Sequence, residues 1–202
     1  MHISLTSTTF GDAEIGEVLD SLKSGHVTMG AKCREFEKAF ARFIGSKNAI
    51  FVNSGSSANL LAWFALANNA YPSRKGPALE AGSEVIVPAV CWSTTVWPII
   101  QAGATPVFVD CSPDSLLIDP AAVAAAVTDK TVAISPVHPL GNVCDMTALT
   151  HICQKHGLVL IEDTCEALGA KWQSKLAGSF GLMGTFSFYF SHHITTIEGG
   201  MI

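Results

Sequence analysis

A chain of 202 residues that is 49% hydrophobic and 14% charged can bury a sizeable core, which places it among globular proteins. Its formal net charge of −5, with lysines and arginines scattered, leaves no basic patch for a nucleic-acid partner. The opening MHISLTSTTF lacks the cationic and apolar blocks of a secretory leader, and no uncharged run reaches the roughly 18 residues of a membrane span, so a cytoplasmic, non-membrane protein is expected.

From the N terminus, residues 12–22 place Ile15, Leu19 and Leu22 on one helical face, and 33–44 do the same with Phe36, Phe40 and Phe43. Two surface helices with an apolar stripe are predicted. Short β-branched runs then recur: AIFV (49–52), EVIVP (84–88), PVFVD (106–110), TVAISPV (131–137), LVLIED (158–163) and GTFSFYF (184–190). Helices fit between them at 57–67, 94–102, 119–127 and 145–156, with Asp119 (before Pro120) and Asp145 as N-caps. The polar segment NNAYPSRKGPALEAG (68–82) reads as a surface loop. This alternation predicts an α/β domain, three αβα layers around a mostly parallel sheet. Six cysteines, at 33, 91, 111, 144, 153 and 165, form no CxxC pair, and disulfides are not expected.

In such a sheet a ligand sits beyond the carboxyl ends of the strands, so the residues following each strand are the candidates. After AIFV, the run Asn53-Ser54-Gly55-Ser56-Ser57-Ala58 opens a helix with hydroxyls and a glycine; free N–H groups and the helix dipole there suit a phosphate, although a plain serine N-cap reads the same way. Asp163 ends an apolar strand and is either a capping carboxylate or the partner of a heteroaromatic nitrogen. His138, in PVHPLGN, lines the site or is a satisfied structural histidine. Trp92 is a stacking platform for a flat ring or a core residue. Asp110 is assigned to a turn. His151, Cys153 and His156 sit on different faces of one helix and make no zinc site.

In order along the chain these features resemble the DegT, DnrJ, EryC1 and StrS family, the vitamin B6-dependent sugar aminotransferases of fold type I. The resemblance runs through TFGDAEIGEVLDSLKSGHVTMG, FEKAFARFIG, VNSGSSANLL, TTVWPIIQAGATPVFVD, HPLGN, IEDTCEALGA and SFYFSHHITTIEGG. It implies an N-terminal arm and helix over 1–30 and a cofactor-binding large domain over 31–202. The chain is then expected to be an N-terminal piece of a longer protein whose small C-terminal domain lies elsewhere. It also implies that Gly55, Ser56 and Ser187 bind the phosphate of pyridoxal 5′-phosphate, that Trp92 stacks on its ring and that Asp163 pairs with its pyridine nitrogen.

In most of that family the position of His192 is a lysine that bonds covalently to the cofactor, yet this chain has no lysine after Lys175. An imidazole has no primary amine, but its ordinary pKa near 6.5 suits proton transfer. One branch of the family makes the same exchange: the sugar 3-dehydratases, which act on nucleotide-linked 4-keto-6-deoxyhexoses and carry an HHIT…EGG stretch like His192-His193-Ile194-Thr195 and Glu198-Gly199-Gly200. That resemblance implies a non-covalently held pyridoxal or pyridoxamine 5′-phosphate, a nucleotide-sugar substrate contacted by His138, Asn142 and His193, a homodimer, and a place in deoxysugar and lipopolysaccharide O-antigen synthesis. A [2Fe-2S] cluster and a reductase partner are implied only where cysteines for them lie in the C-terminal part. Phe190 and Ile197 depart from the branch, which has proline and glycine there. Two alternatives stand beside this reading: a nucleotide-sugar aminotransferase using another amine, and a non-catalytic relative kept as a sensor or scaffold.

Overall fold

The computed structural model describes residues 10–68 and 77–202. The first nine residues of the expected N-terminal arm, and 69–76 of the expected surface loop, lie outside the described residues. Two compact units are present, Met1–Phe51 and Val52–Ile202.

The first unit carries α1 (Asp12–Lys23) and α2 (Ala31–Ile44). The Glu14 carboxylate accepts the Gly11 N–H at 2.7 Å and so covers one of the unpaired donors at the start of α1. Gly45, at φ 79°, ends α2 in the left-handed conformation that a residue without Cβ takes at little cost. Of the predicted stripes, Phe40 of α2 is buried, whereas Ile15, Leu19 and Leu22 of α1 are exposed. Phe51 donates its N–H to Glu37 Oε1 at 2.9 Å and sets its ring edge-on to Phe36, so α2 is held to the end of its own unit.

The second unit begins within β1 (Phe51–Val52) and continues through α3 (Gly55–Ala67), β2 (Glu84–Pro88), α4 (Ser93–Gln101), β3 (Thr105–Val109), α5 (Pro120–Ala126), β4 (Thr131–Ile134), a 3-10 turn at Pro139–Gly141, and α6 (Met146–His156). It then runs through β5 (Val159–Asp163), the small hairpin β6 (Lys171–Trp172) and β7 (Lys175–Leu176), β8 (Met183–Ser187) and β9 (Gly200–Met201). The main sheet has seven strands in the order β1-β9-β8-β5-β4-β2-β3. β3, β2, β4, β5 and β8 pair in parallel, and β9 returns antiparallel to β8. Two of the expected N-caps are made, Asp119 accepting from Ala121 N–H and Asp145 from Ala148 N–H, each at 2.9 Å. The strands expected at 131–137 and 184–190 are shorter. Pro136 has no N–H to give a ladder, and beyond Ser187 the chain turns to bring Gly200 back against it.

Strand alternation fills both faces. Ile86, Ile134 and Leu160 pack with Val123 of α5 and with Met146, Leu149 and Ile152 of α6. Val85, Val87, Val159 and Ile161 pack with Ala62, Trp63 and Leu66 of α3 and with Ile99 of α4. A parallel sheet buried on both sides reads as a near-continuous apolar run, which is what EVIVP and LVLIED are. The expected three-layer α/β architecture is the observed one.

Candidate active site

The parity of β5 divides its last two residues between the faces. Glu162 shares the side of Leu160, toward α5 and α6, and Asp163 shares the side of Val159 and Ile161, toward α3 and α4. Asp163 is buried there. Its Oδ2 accepts from Asn59 Nδ2 of α3 at 2.9 Å and from Thr95 Oγ1 of α4 at 2.8 Å, and its Oδ1 accepts from the Cys165 N–H at 3.2 Å. Among the described residues no lysine or arginine forms an ion pair with it. A buried carboxylate met only by neutral donors is an unbalanced charge, which a cationic group of a ligand would balance.

Beside β5, β8 sets Thr185 opposite Asp163. The Thr185 hydroxyl donates to Asn59 Oδ1 at 2.6 Å. Two residues further on the same face, Ser187 reaches the start of α3, where a Cβ on Gly55 would stand 2.6 Å from the Ser187 Cβ and 3.0 Å from Cys165 Sγ. Only a glycine fits. Ser54 caps α3 by accepting the Ser57 N–H at 3.1 Å, and the exposed Ser56 donates its hydroxyl to Thr94 Oγ1 of α4 at 3.1 Å. Gly200, paired with Ser187, closes the other side, since a Cβ there would be 2.3 Å from the Ser54 carbonyl oxygen. Gly55, Ser56 and Ser187 thus come together at a helix N-terminus, whose free N–H groups and positive dipole end suit an anion.

Trp92 occupies the N-cap position of α4 and is 73% exposed, so its indole is not part of the core and has a face free for stacking. The Thr95 N–H donates to the Trp92 carbonyl at 2.9 Å, which ties this loop to the residue that holds Asp163. Two thiols flank the carboxylate. Burial, and then the Asp163 charge, push Cys91 up to about 11 and Cys165 well above the ordinary thiol range, so both stay protonated near neutrality.

The loop after β8 is fastened to Phe188, whose carbonyl accepts from Thr195 Oγ1 at 3.1 Å and Thr196 N–H at 3.0 Å. His192 is half-buried on this loop, with its ring edge-on to Tyr189 at 6.2 Å between centroids. Burial lowers its pKa below 6.5; the Glu166 carboxylate opposes that, His193 adds to it, and Asp163 weakly opposes it. The imidazole therefore lies within the fields of Glu166 and Asp163 and is mostly uncharged at neutral pH. His193 is exposed. Ile197, one of the two departures noted in the sequence, sits at φ 70°, a left-handed conformation that disfavours a β-branched residue.

His138 is corrected by its surroundings. It is fully buried, its Nδ1 accepting the Cys144 N–H at 3.2 Å and its Nε2 lying 3.3 Å from Glu162 Oε2, so it has no surface for a substrate and is the structural histidine of the two readings. Glu162, also fully buried, accepts in addition the N–H groups of Gly178, Phe180 and Gly181 at 2.8, 2.7 and 2.8 Å. Asn142 is exposed, and its Nδ2 donates to the Ser115 carbonyl at 3.2 Å. Sequence reasoning passed over Asn59, Thr95 and Thr185. The signal for Asn59 was there: a lone amide inside the apolar helix ANLLAWFALA needs a buried partner. Glu166 was also missed; its Oε2 accepts the Leu140 N–H at 2.7 Å and so anchors the PLGN turn near His192.

The sequence profile of the DegT/DnrJ/EryC1/StrS aminotransferase family matches residues 9–202. The chain belongs to this family. It is 43% identical over its whole length to GDP-4-keto-6-deoxy-D-mannose 3-dehydratase of Yersinia pseudotuberculosis and 45% identical to the protein of that name from Escherichia coli O55:H7, covering 50% and 51% of those proteins. The solved E. coli GDP-4-keto-6-deoxy-D-mannose-3-dehydratase with bound hydrated PLP superposes with a TM-score of 0.90 at 44% identity, over 98% of this chain and 49% of that one. The chain thus spans about half the length of the relatives it matches.

Proposed function

We propose that this chain is the cofactor-binding part of a pyridoxal-phosphate-dependent 3-dehydratase that removes the C3 hydroxyl of a nucleotide-linked 4-keto-6-deoxyhexose, a GDP sugar by its relatives' names. The observation that carries the reading is His192: a half-buried imidazole, uncharged near neutrality, within the fields of the Glu166 and Asp163 carboxylates and in a stretch that contains no lysine.

The residues present fit the cofactor. The narrow contact between Gly55 and Ser187 at the start of α3 would hold the phosphate, with the Ser56 and Ser187 hydroxyls as additional donors. Trp92 would lie on the ring, and Asp163, buried and met by no protein cation among the described residues, would hold the ring nitrogen in its protonated form. When bound, pyridoxamine phosphate supplies an amine for the sugar ketone and a ring that accepts electrons. His192 then moves the proton: its neutral imidazole nitrogen takes one and delivers it to the departing C3 hydroxyl, a task suited to an imidazole whose pKa burial lowers from its ordinary value. The exposed His193 and Asn142 are assigned to the sugar-nucleotide side. Held by contacts alone, the cofactor is exchangeable.

Borohydride reduction of the full-length protein with its cofactor tests this reading. No cofactor should become fixed to the polypeptide, and recovery of a phosphopyridoxyl-lysine peptide would favour an ordinary aminotransferase instead.

A further inference from the structure

Asp163 is held by residues to which the proposed chemistry assigns nothing. Asn59 and Thr95 donate to the same carboxylate oxygen, Oδ2, at 2.9 and 2.8 Å, which fills both of its lone-pair directions. Oδ1 receives the Cys165 N–H at 3.2 Å, and the carboxylate also meets the protonated Cys165 thiol, a weak donor that a stronger ligand N–H can displace from the oxygen left open by Asn59 and Thr95. An asparagine amide can present either its NH2 or its oxygen. Here the Thr185 hydroxyl donates to Asn59 Oδ1 at 2.6 Å, which commits the NH2 to Asp163. All four side chains are at least nine-tenths buried, so water cannot substitute for a lost donor without rearrangement.

We infer that Asn59, Thr95 and Thr185 are positioning residues that hold Oδ2 of Asp163 in a fixed, uncharged cradle and reserve Oδ1 for the ring nitrogen of the cofactor. The inference rests on the role proposed for Asp163. The donors are neutral, and that is what makes the arrangement selective: a lysine or arginine on Oδ2 would cancel the charge the ring nitrogen requires, whereas an amide and a hydroxyl orient the carboxylate and leave the charge in place. The network also sets the ring against the rest of the site. Asn59 lies one helical turn from Gly55, Thr95 three residues from Trp92, and Thr185 two residues from Ser187, so the elements expected to bind phosphate and ring face are the ones that fix the nitrogen's partner.

The test uses the full-length protein and pyridoxamine 5′-phosphate labelled with 15N in the ring, read by the ring-nitrogen NMR shift and by a binding titration. Thr95→Val and Thr185→Val keep side-chain shape but remove one hydroxyl each. Each should weaken binding by about tenfold, the scale of one charge-assisted hydrogen bond, and move the ring-nitrogen signal toward that of a neutral pyridine. Thr95→Ser should restore both, which a merely space-filling role would not require. If both valine variants bind and resonate as wild type while Asp163→Asn moves the signal, the positioning network is overturned and the role of Asp163 stands. If Asp163→Asn leaves the signal in place, the assignment of Asp163 itself fails, and the inference with it. Should Thr185→Val not fold, Thr95→Val with its serine rescue decides alone.

Discussion

Ser187 of β8 packs directly on Gly55 of α3, and a Cβ on the glycine would come within 2.6 Å of the serine's. The contact belongs to a register. Two strand residues advance about 6.6 Å and four helical residues about 6 Å, so Thr185 and Ser187 keep step with Asn59 and Gly55 across the layer. Gly55→Ala should push the two elements apart, costing about 1–3 kcal/mol as overpacking does. Thermal denaturation should show a lower Tm, and a titration should show weaker binding of pyridoxal phosphate. An unchanged affinity would remove Gly55 from the phosphate site.

The pH response follows from His192. Its pKa is lowered in the folded chain, chiefly by burial, so the folded state takes up a proton less readily than the unfolded one. Its contribution to stability is therefore complete above the ordinary value near 6.5 and falls away as pH drops from there through the folded pKa. Proton transfer should follow the same side: kcat should level off toward about pH 8, with the midpoint of its acid limb below 6.5. A wild-type profile whose acid limb sits above 6.5 would contradict a neutral His192 as the acting base.

His192→Lys returns a primary amine to this loop. The variant should bind pyridoxal phosphate covalently, so that borohydride now fixes it, and dehydration should fall because the new amine competes for the cofactor aldehyde. An absorbance spectrum and a product assay on the same sample check both. A variant that forms no covalent link and dehydrates as fast as wild type would move the role to His193.

Ile197 has a simpler prediction. A β-branched residue at φ 70° costs about 1–2 kcal/mol over glycine, and the side chain is 64% exposed, so little packing is lost with it. Ile197→Gly should raise stability by about 1 kcal/mol, after the extra chain entropy of glycine is subtracted. A fall in Tm would mean that the isoleucine makes a contact worth more than its strain.

The layers were legible in the sequence because short β-branched runs such as EVIVP and LVLIED alternate with helical stretches, and Asp119 and Asp145 announced the helices they cap. Gly55, Ser56 and Asp163 stood out as candidates because each opens a helix or ends a strand, whereas Ser187 came from the family resemblance alone. The network behind them was not found. Asn59 meets Asp163 across 104 positions and Thr185 meets Asn59 across 126, and no local pattern carries a pairing of that span. His138 was misplaced for the same reason: its partner, Glu162, stands next to Asp163 but on the opposite face, and the fate of a polar side chain depends on which face it joins.

On the proposed function, this site removes an oxygen from C3 and does not deliver nitrogen to C4. Incubation of the full-length protein with pyridoxal phosphate, L-glutamate and GDP-4-keto-6-deoxymannose, followed by mass spectrometry of the nucleotide sugar, reads it directly. A product that has lost the C3 oxygen and retains the C4 ketone is predicted, with loss of that product in His192→Asn. A product that carries an amine at C4 and an intact C3 hydroxyl would contradict the account.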